Sequence, residues 1–135
     1  MINVDDLEKF LGGPTPSPFD RLNVTINAQN VIGLNMNAYK KLGRPEAVFL
    51  HYSRSKMIIV IEPASVRMPA AFPVKKKTSV GWRINASPFC KHFGIRIDST
   101  ERFINPDLEH EGRRLVLRLK ETVTIKQLRR KKKAQ

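Results

Sequence analysis

The feature that most limits this chain is a repeat. Residues 35–43 read Asn-Met-Asn-Ala-Tyr-Lys-Lys-Leu-Gly, and residues 85–94 read Asn-Ala-Ser-Pro-Phe-Cys-Lys-His-Phe-Gly. Both place an aromatic ring four residues after an asparagine. Both end on a large apolar residue followed by glycine, the second being one residue longer. Each reads as two helical turns that offer one aromatic and one Leu or Phe to a sheet, after which glycine reverses the chain. A unit of about 40 residues cannot bury its own apolar face. Two units must therefore pack together within the chain, or each against a copy in a second chain, which makes a homodimer one way to complete the core.

The segments around these helices read as strands. Leu22, Val24 and Ile26 alternate with Asn23, Thr25 and Asn27, the period of a half-buried strand. Ala28-Gln29-Asn30 is a tight connection in which Asn30 tolerates a positive φ, and Val31 to Leu34 is the return strand. Ala47–Tyr52 and Met57–Ile61 form a hairpin through Ser53-Arg54-Ser55-Lys56, closed by Pro63. Residues 64–79, rich in proline and lysine, are read as irregular. Val80–Ile84 begins a second unit, with Ser87 as helix cap and Pro88 at the first helical position. Glu101–Ile104 is a strand and 105–112 is turn-like. Leu115, Leu117 and Leu119 mark the last clear strand, with 122–125 read as its extension.

This gives a mainly β chain with short helices, of α+β class. Residues 1–18 are an appendage: a short helix over 3–11 and a linker with three prolines in five residues. Residues 19–125 are one β-rich domain of two repeat-like units, 21–63 and 80–121. Residues 126–135 are a basic tail.

Charge limits the partner. Lys and Arg number 25 against 12 Asp and Glu, a net +13. The excess is not confined to the tail, because residues 21–125 are basic as well. A small protein of this charge points to a polyanion, most simply nucleic acid. No run of 18 apolar residues exists, so no transmembrane helix and no membrane partner is expected. The N-terminal residues lack the pattern of a secretory signal, and a single cysteine, Cys90, fits a reducing cytoplasm.

Four segments together resemble a known family: Val24-Thr-Ile-Asn-Ala-Gln-Asn-Val-Ile-Gly-Leu-Asn35, Ala38-Tyr-Lys-Lys-Leu-Gly43, Val48-Phe-Leu50 and Ile58-Ile-Val-Ile-Glu-Pro63. The pattern is similar to that of the AbrB/MazE/MraZ swapped-hairpin β-barrels, well over 22–63 and loosely over 80–120. Asn30 stands where that family usually has glycine and Asn35 where it usually has proline. The resemblance implies a small closed barrel built from two strand–helix–hairpin units, and a DNA-binding regulator or antitoxin. In that family basic residues of the first strands and adjoining loops meet DNA. Here Arg21 is the only basic match, because residues 22–35 carry no charge.

No catalytic set emerges. His51, His92 and His110 lie in different elements. Cys90 and His92 fall on different faces of a two-turn helix and lack a second pair at zinc-like spacing. No cofactor, metal site or enzyme is expected. Trp82, Tyr39, Phe89 and Phe93 are read as core, and 7% aromatic residues is low for a protein that stacks bases along a strand. The expected function is non-catalytic nucleic-acid binding, with DNA preferred to RNA. The candidate phosphate contacts are Arg21, Lys40, Lys41, Arg54, Lys56, Lys75, Lys76, Lys77, Arg113, Arg114, Arg129, Arg130, Lys131, Lys132 and Lys133. The alternative is a structural or adaptor protein that assembles through the β domain and the N-terminal helix.

Overall fold

A computed structural model describes residues 7, 21–79, 81–109 and 113–125. The readings of a helix over 3–11, a proline linker and a basic tail lie outside the described residues, apart from Leu7. The first half holds β1 (Val24–Ile26), β2 (Val31–Asn35), α1 (Met36–Lys41), β3 (Ala47–Ser53) and β4 (Ile58–Ala64). The second half holds β5 (Phe72–Thr78), β6 (Gly81–Asn85), α2 (Ser87–Phe93), β7 (Glu101–Phe103), β8 (Asp107–Glu109), β9 (Arg114–Arg118) and β10 (Thr122–Thr124).

All ten strands form one antiparallel sheet in the order β10-β7-β1-β2-β6-β5-β3-β4-β9-β8. Around the central β2–β6 ladder the order is palindromic. On each side a hairpin (β1–β2 or β5–β6) is followed outward by a strand of the other half: β7 beside β1, and β3 beside β5. β10 and β4 come next. The registers repeat too. Val24, Thr25 and Ile26 face Leu34, Gly33 and Ile32, while Val74, Lys75 and Lys76 face Ile84, Arg83 and Trp82, each number raised by fifty. Gly33 and Arg83, equivalent in this numbering, face each other in the central ladder. The two hairpins are thus related by a two-fold through that pair.

The sheet is open, which corrects the expected closed barrel. A second-half hairpin without a first-half counterpart decides this. β8–β9 follows β7, and β9 pairs along the outer edge of β4, with Leu115 opposite Ile61 and Leu117 opposite Ile59. The edge that would have to meet β10 to close a cylinder is thereby filled, leaving β10 and β8 as the two rims. The α+β class with short helices stands.

Three element readings are corrected as well. Residues 72–78 are a strand, not an irregular segment. β5 is the corner of the sheet: Phe72 and Pro73 pair with β3, and Val74 onward with β6. Pro73 is tolerated because the β6 ladder begins one residue later. Asp107–Glu109 is a strand, where a turn was read. Thr122–Thr124 does not extend β9; it turns away and pairs with β7.

Burial follows the alternation. Val24, Ile26, Ile32, Leu34 and Ile84 from one half of the sheet and Val48, Ile59, Ile61, Leu115 and Leu117 from the other join one core. The helices tie the halves together. Tyr39 of α1 stacks on Trp82 of β6, ring centroids 4.0 Å apart and nearly parallel. Tyr52 of β3 meets Phe89 and Phe93 of α2. Asn30 takes φ 64°, the left-handed conformation that asparagine tolerates.

Asn35 also has a structural explanation. It caps α1, its Oδ1 accepting from the Ala38 N–H at 3.0 Å and the Asn23 N–H at 3.2 Å, while its Nδ2 donates to the Arg21 carbonyl at 2.9 Å. One side chain thus fixes the helix start and the chain entering β1. In α2 the cap residue is Ala86 rather than Ser87, with no side-chain cap bond. Asn85 accepts only from the Ser87 N–H, at 3.2 Å. We therefore expect Asn35→Ala to lower stability by about 2 kcal/mol and Asn85→Ala by about 0.5 kcal/mol, measured by urea unfolding.

Candidate nucleic-acid interface

Strands of the first sheet half alternate inward and outward. On β6, Trp82 and Ile84 point into the core and Arg83 is exposed. The ladders carry the outward position of one strand to the next. Lys75 faces Arg83, Arg83 faces Gly33, Gly33 faces Thr25 and Thr25 faces Arg102. Five strands so contribute one transverse row. At about 4.8 Å per strand it spans about 19 Å from Lys75 to Arg102. Gly33 lowers the middle of the row. A Cβ there would meet Thr25 Oγ1 at 2.9 Å, so the glycine gives the threonine side chain its room.

The row contains no carboxylate. Its neighbours at the same alternate positions include Asn23, Asn27, Asn35, Asn85 and Val31. Among the described residues Lys75, Arg83 and Arg102 form no ion pair. Lys75 and Arg83 are directly opposite like charges, an arrangement that costs stability unless an anion sits over it. Glu101, beside Arg102 in sequence, has both carboxylate oxygens held by the Thr122 and Thr124 hydroxyls, at 2.9 and 2.8 Å.

Next to Lys75 and Arg83 the surface sinks into a groove of about 440 Å³. Val31, Phe72, Pro73 and Pro88 form its apolar walls, and Lys75, Arg83 and Asn85 its polar groups. A second cavity, of about 690 Å³, lies between the β3–β4 turn and β10, lined by Tyr52, Ile95, Ile97, Glu101 and Leu119 among others. Its carboxylates are already partnered, Glu101 by the two threonines and Asp98 by Arg96 at 3.7 Å.

The structure sorts the sequence candidates. Lys75, Lys76 and Lys77 are exposed on β5, and a bulge between Lys76 and Thr78 interrupts the ladder there. Arg54 is occupied with α2: it donates to the Phe93 carbonyl at 3.4 Å and lies 5.3 Å from that ring's centre. Arg114 pairs with Glu62 at 3.6 Å. Lys40 and Lys41 end α1, Lys56 sits in the β3–β4 turn, and Arg21 and Arg113 are exposed, all away from the row's ladder positions. Arg129, Arg130, Lys131, Lys132 and Lys133 lie outside the described residues. Arg83 and Arg102 were not singled out from the sequence. Arg83 carried a signal, since it alternates with Trp82 and Ile84. Arg102 sits in a three-residue strand too short to show a period.

The other chemistry-bearing groups are engaged or shielded. His51 Nε2 lies 3.0 Å from Glu62 Oε1. Arg118 meets Asp107 at 2.6 Å, and that hydrogen bond raises the Arg118 pKa further. His92 is exposed while Cys90 is buried, and His110 lies outside the described residues. Among the described residues no three His, Cys, Asp or Glu side chains gather to hold a metal. No described helix is long and apolar enough to cross a membrane. Comparison with protein-family models, with curated proteins and with solved structures finds no match to this chain.

Two outcomes follow. Burial pushes the Cys90 thiol up to about 11. The folded protein should therefore resist a thiol-specific disulfide reagent at pH 8 and react fully once unfolded in urea. Because the folded pKa is raised, this group's contribution to stability is complete below the ordinary thiol range and is lost as the pH climbs toward 11. Separately, Lys75→Gln should leave stability unchanged or raise it by about 0.2–1 kcal/mol by relieving the pair with Arg83, as read from the urea midpoint.

Proposed function

We propose that this protein is a non-catalytic nucleic-acid-binding protein of the cytoplasm, and that its binding face is the outer surface of β5, β6, β2, β1 and β7. The observation that carries this reading is the row from Lys75 through Arg83 to Arg102. Among the described residues its cations are unpaired with carboxylates, and two of them are held directly opposite each other. Such a row is electrostatically unfavourable by itself and favourable against phosphates. Thr25, Asn27 and Asn85 beside it are neutral polar groups of the kind that also serve phosphate and sugar contacts.

DNA is the preferred ligand in this proposal, in keeping with the resemblance to the AbrB/MazE/MraZ regulators. Uncharged Thr25 and Gly33 of the first hairpin depart from that pattern, since they shift the basic surface onto the second hairpin.

The test is binding to labelled duplex DNA, single-stranded DNA and structured RNA across a salt series, with residues 126–135 present and removed. The truncated protein should still bind, with affinity falling steeply as salt rises. The double variant Lys75→Gln/Arg83→Gln should flatten the log–log salt slope on duplex DNA by about 0.9 for each charge removed. Lys56→Gln/Lys120→Gln, of equal net charge at the β3–β4 and β9–β10 turns, should change it little. Binding that disappears with residues 126–135, or that treats the two double variants alike, would move the interaction off this face.

A further inference from the structure

We propose that the groove between β5 and β6 takes one unpaired nucleotide, so that the protein binds single-stranded segments in preference to duplex. This rests on the nucleic-acid reading above and names the form of the ligand at the same face.

The groove joins two chemistries that a duplex backbone alone does not require. Its polar groups are mainly donors. The Lys75 ammonium and Arg83 guanidinium have no acceptor. Asn85 accepts from the Ser87 N–H with its carbonyl oxygen and adds the donors of its NH₂. A partner must therefore bring acceptors, as phosphate oxygens and the ring carbonyls of a pyrimidine do. The walls have the opposite character: Val31, Phe72, Pro73 and Pro88 offer apolar surface with nothing for a phosphate. An unstacked base has a flat face for such a surface, and its own phosphate lies within reach of the cations beside it. At about 440 Å³ the groove falls in the range of small-molecule sites. In a duplex the flat faces of the bases are stacked inside, and only base edges, sugars and phosphates are presented. One groove serves one base, so the low aromatic content of the chain is no obstacle.

The equivalent place in the first hairpin shows the contrast. There Thr25 and Gly33 replace Lys75 and Arg83, and the cations are missing. The cationic lining belongs to the second hairpin, not to the repeat.

The experiment uses the full chain and three labelled probes of equal length, read by fluorescence anisotropy at one salt concentration. They are oligothymidylate, the same backbone with abasic sites throughout, and a duplex. We expect oligothymidylate to bind on the order of tenfold more tightly than the abasic strand, and more tightly than the duplex. Phe72→Leu should bring oligothymidylate down to the abasic level and leave the abasic and duplex affinities unchanged. Should that variant unfold by circular dichroism, Pro88→Ala, at an exposed wall position, makes the same comparison. Equal binding of the thymidylate and abasic strands overturns the proposal while leaving the phosphate face intact. So does a thymidylate preference that the folded wall variant does not reduce, since the base then sits elsewhere. Failure of all three probes to bind, or indifference of all three to Lys75→Gln/Arg83→Gln, removes the nucleic-acid reading at this face and this proposal with it.

Discussion

Ile32 faces Ile84 and Gly33 faces Arg83 across the β2–β6 ladder, and on this join each half depends for its missing layer. Neither hairpin has a partner strand from its own half on its outer side. β1 receives β7 and β5 receives β3, so each half completes the other's sheet. The aromatic clamps repeat the exchange, with Tyr39 on Trp82 in one direction and Tyr52 on Phe89 and Phe93 in the other. The core is therefore shared by construction. A unit of this size could not exclude water from its apolar face alone, and here it does not have to.

The same two-fold makes the outer surface readable as a comparison between equivalent positions. Inward residues remain apolar in both hairpins where they are buried: Leu34 matches Ile84, and Ile32 matches Trp82. Outward residues diverge, from Thr25 and Gly33 to Lys75 and Arg83. Packing constrains the first set, because a buried position tolerates only apolar volume. No packing requirement explains two cations facing each other in the second set. The asymmetry is what gives the charge of the domain a direction rather than a uniform spread.

Much of the fold could be read locally. The alternation over 22–27, the positive φ at Asn30, the two short helices and the glycines that end them all follow from side-chain chemistry within a few residues. The misreadings share one cause, which is that their structure is decided at a distance. Residues 72–78 contain a proline and three consecutive lysines, and they become a strand only because β3 and β6 flank them. Closure was misjudged because nothing in residues 105–118 by themselves says that their hairpin will occupy the outer edge of β4. The interface suffered in the same way. The lysine run at 75–77 stood out as a cluster in sequence, whereas Arg83 and Arg102 are single cations that join Lys75 only across the strands. Arg54 and Arg114 looked equivalent to them in sequence and are spent on Phe93 and Glu62.

The exchange of strands also sets an order of events for a chain made from its N-terminus. Thr25 must wait for Arg102, far along the chain in the second half, before β1 has its outer neighbour. At ordinary rates of translation that wait is roughly 4–15 s. Throughout it β1 has only β2 beside it, and for most of it Ile32 and Leu34 also lack Ile84 and Trp82 across the central ladder. Contacts so distant along the chain make for slow folding. They also mean that the nascent first half offers bare strand edges to any neighbouring copy, so the moment of greatest vulnerability to misassembly falls during synthesis rather than after it.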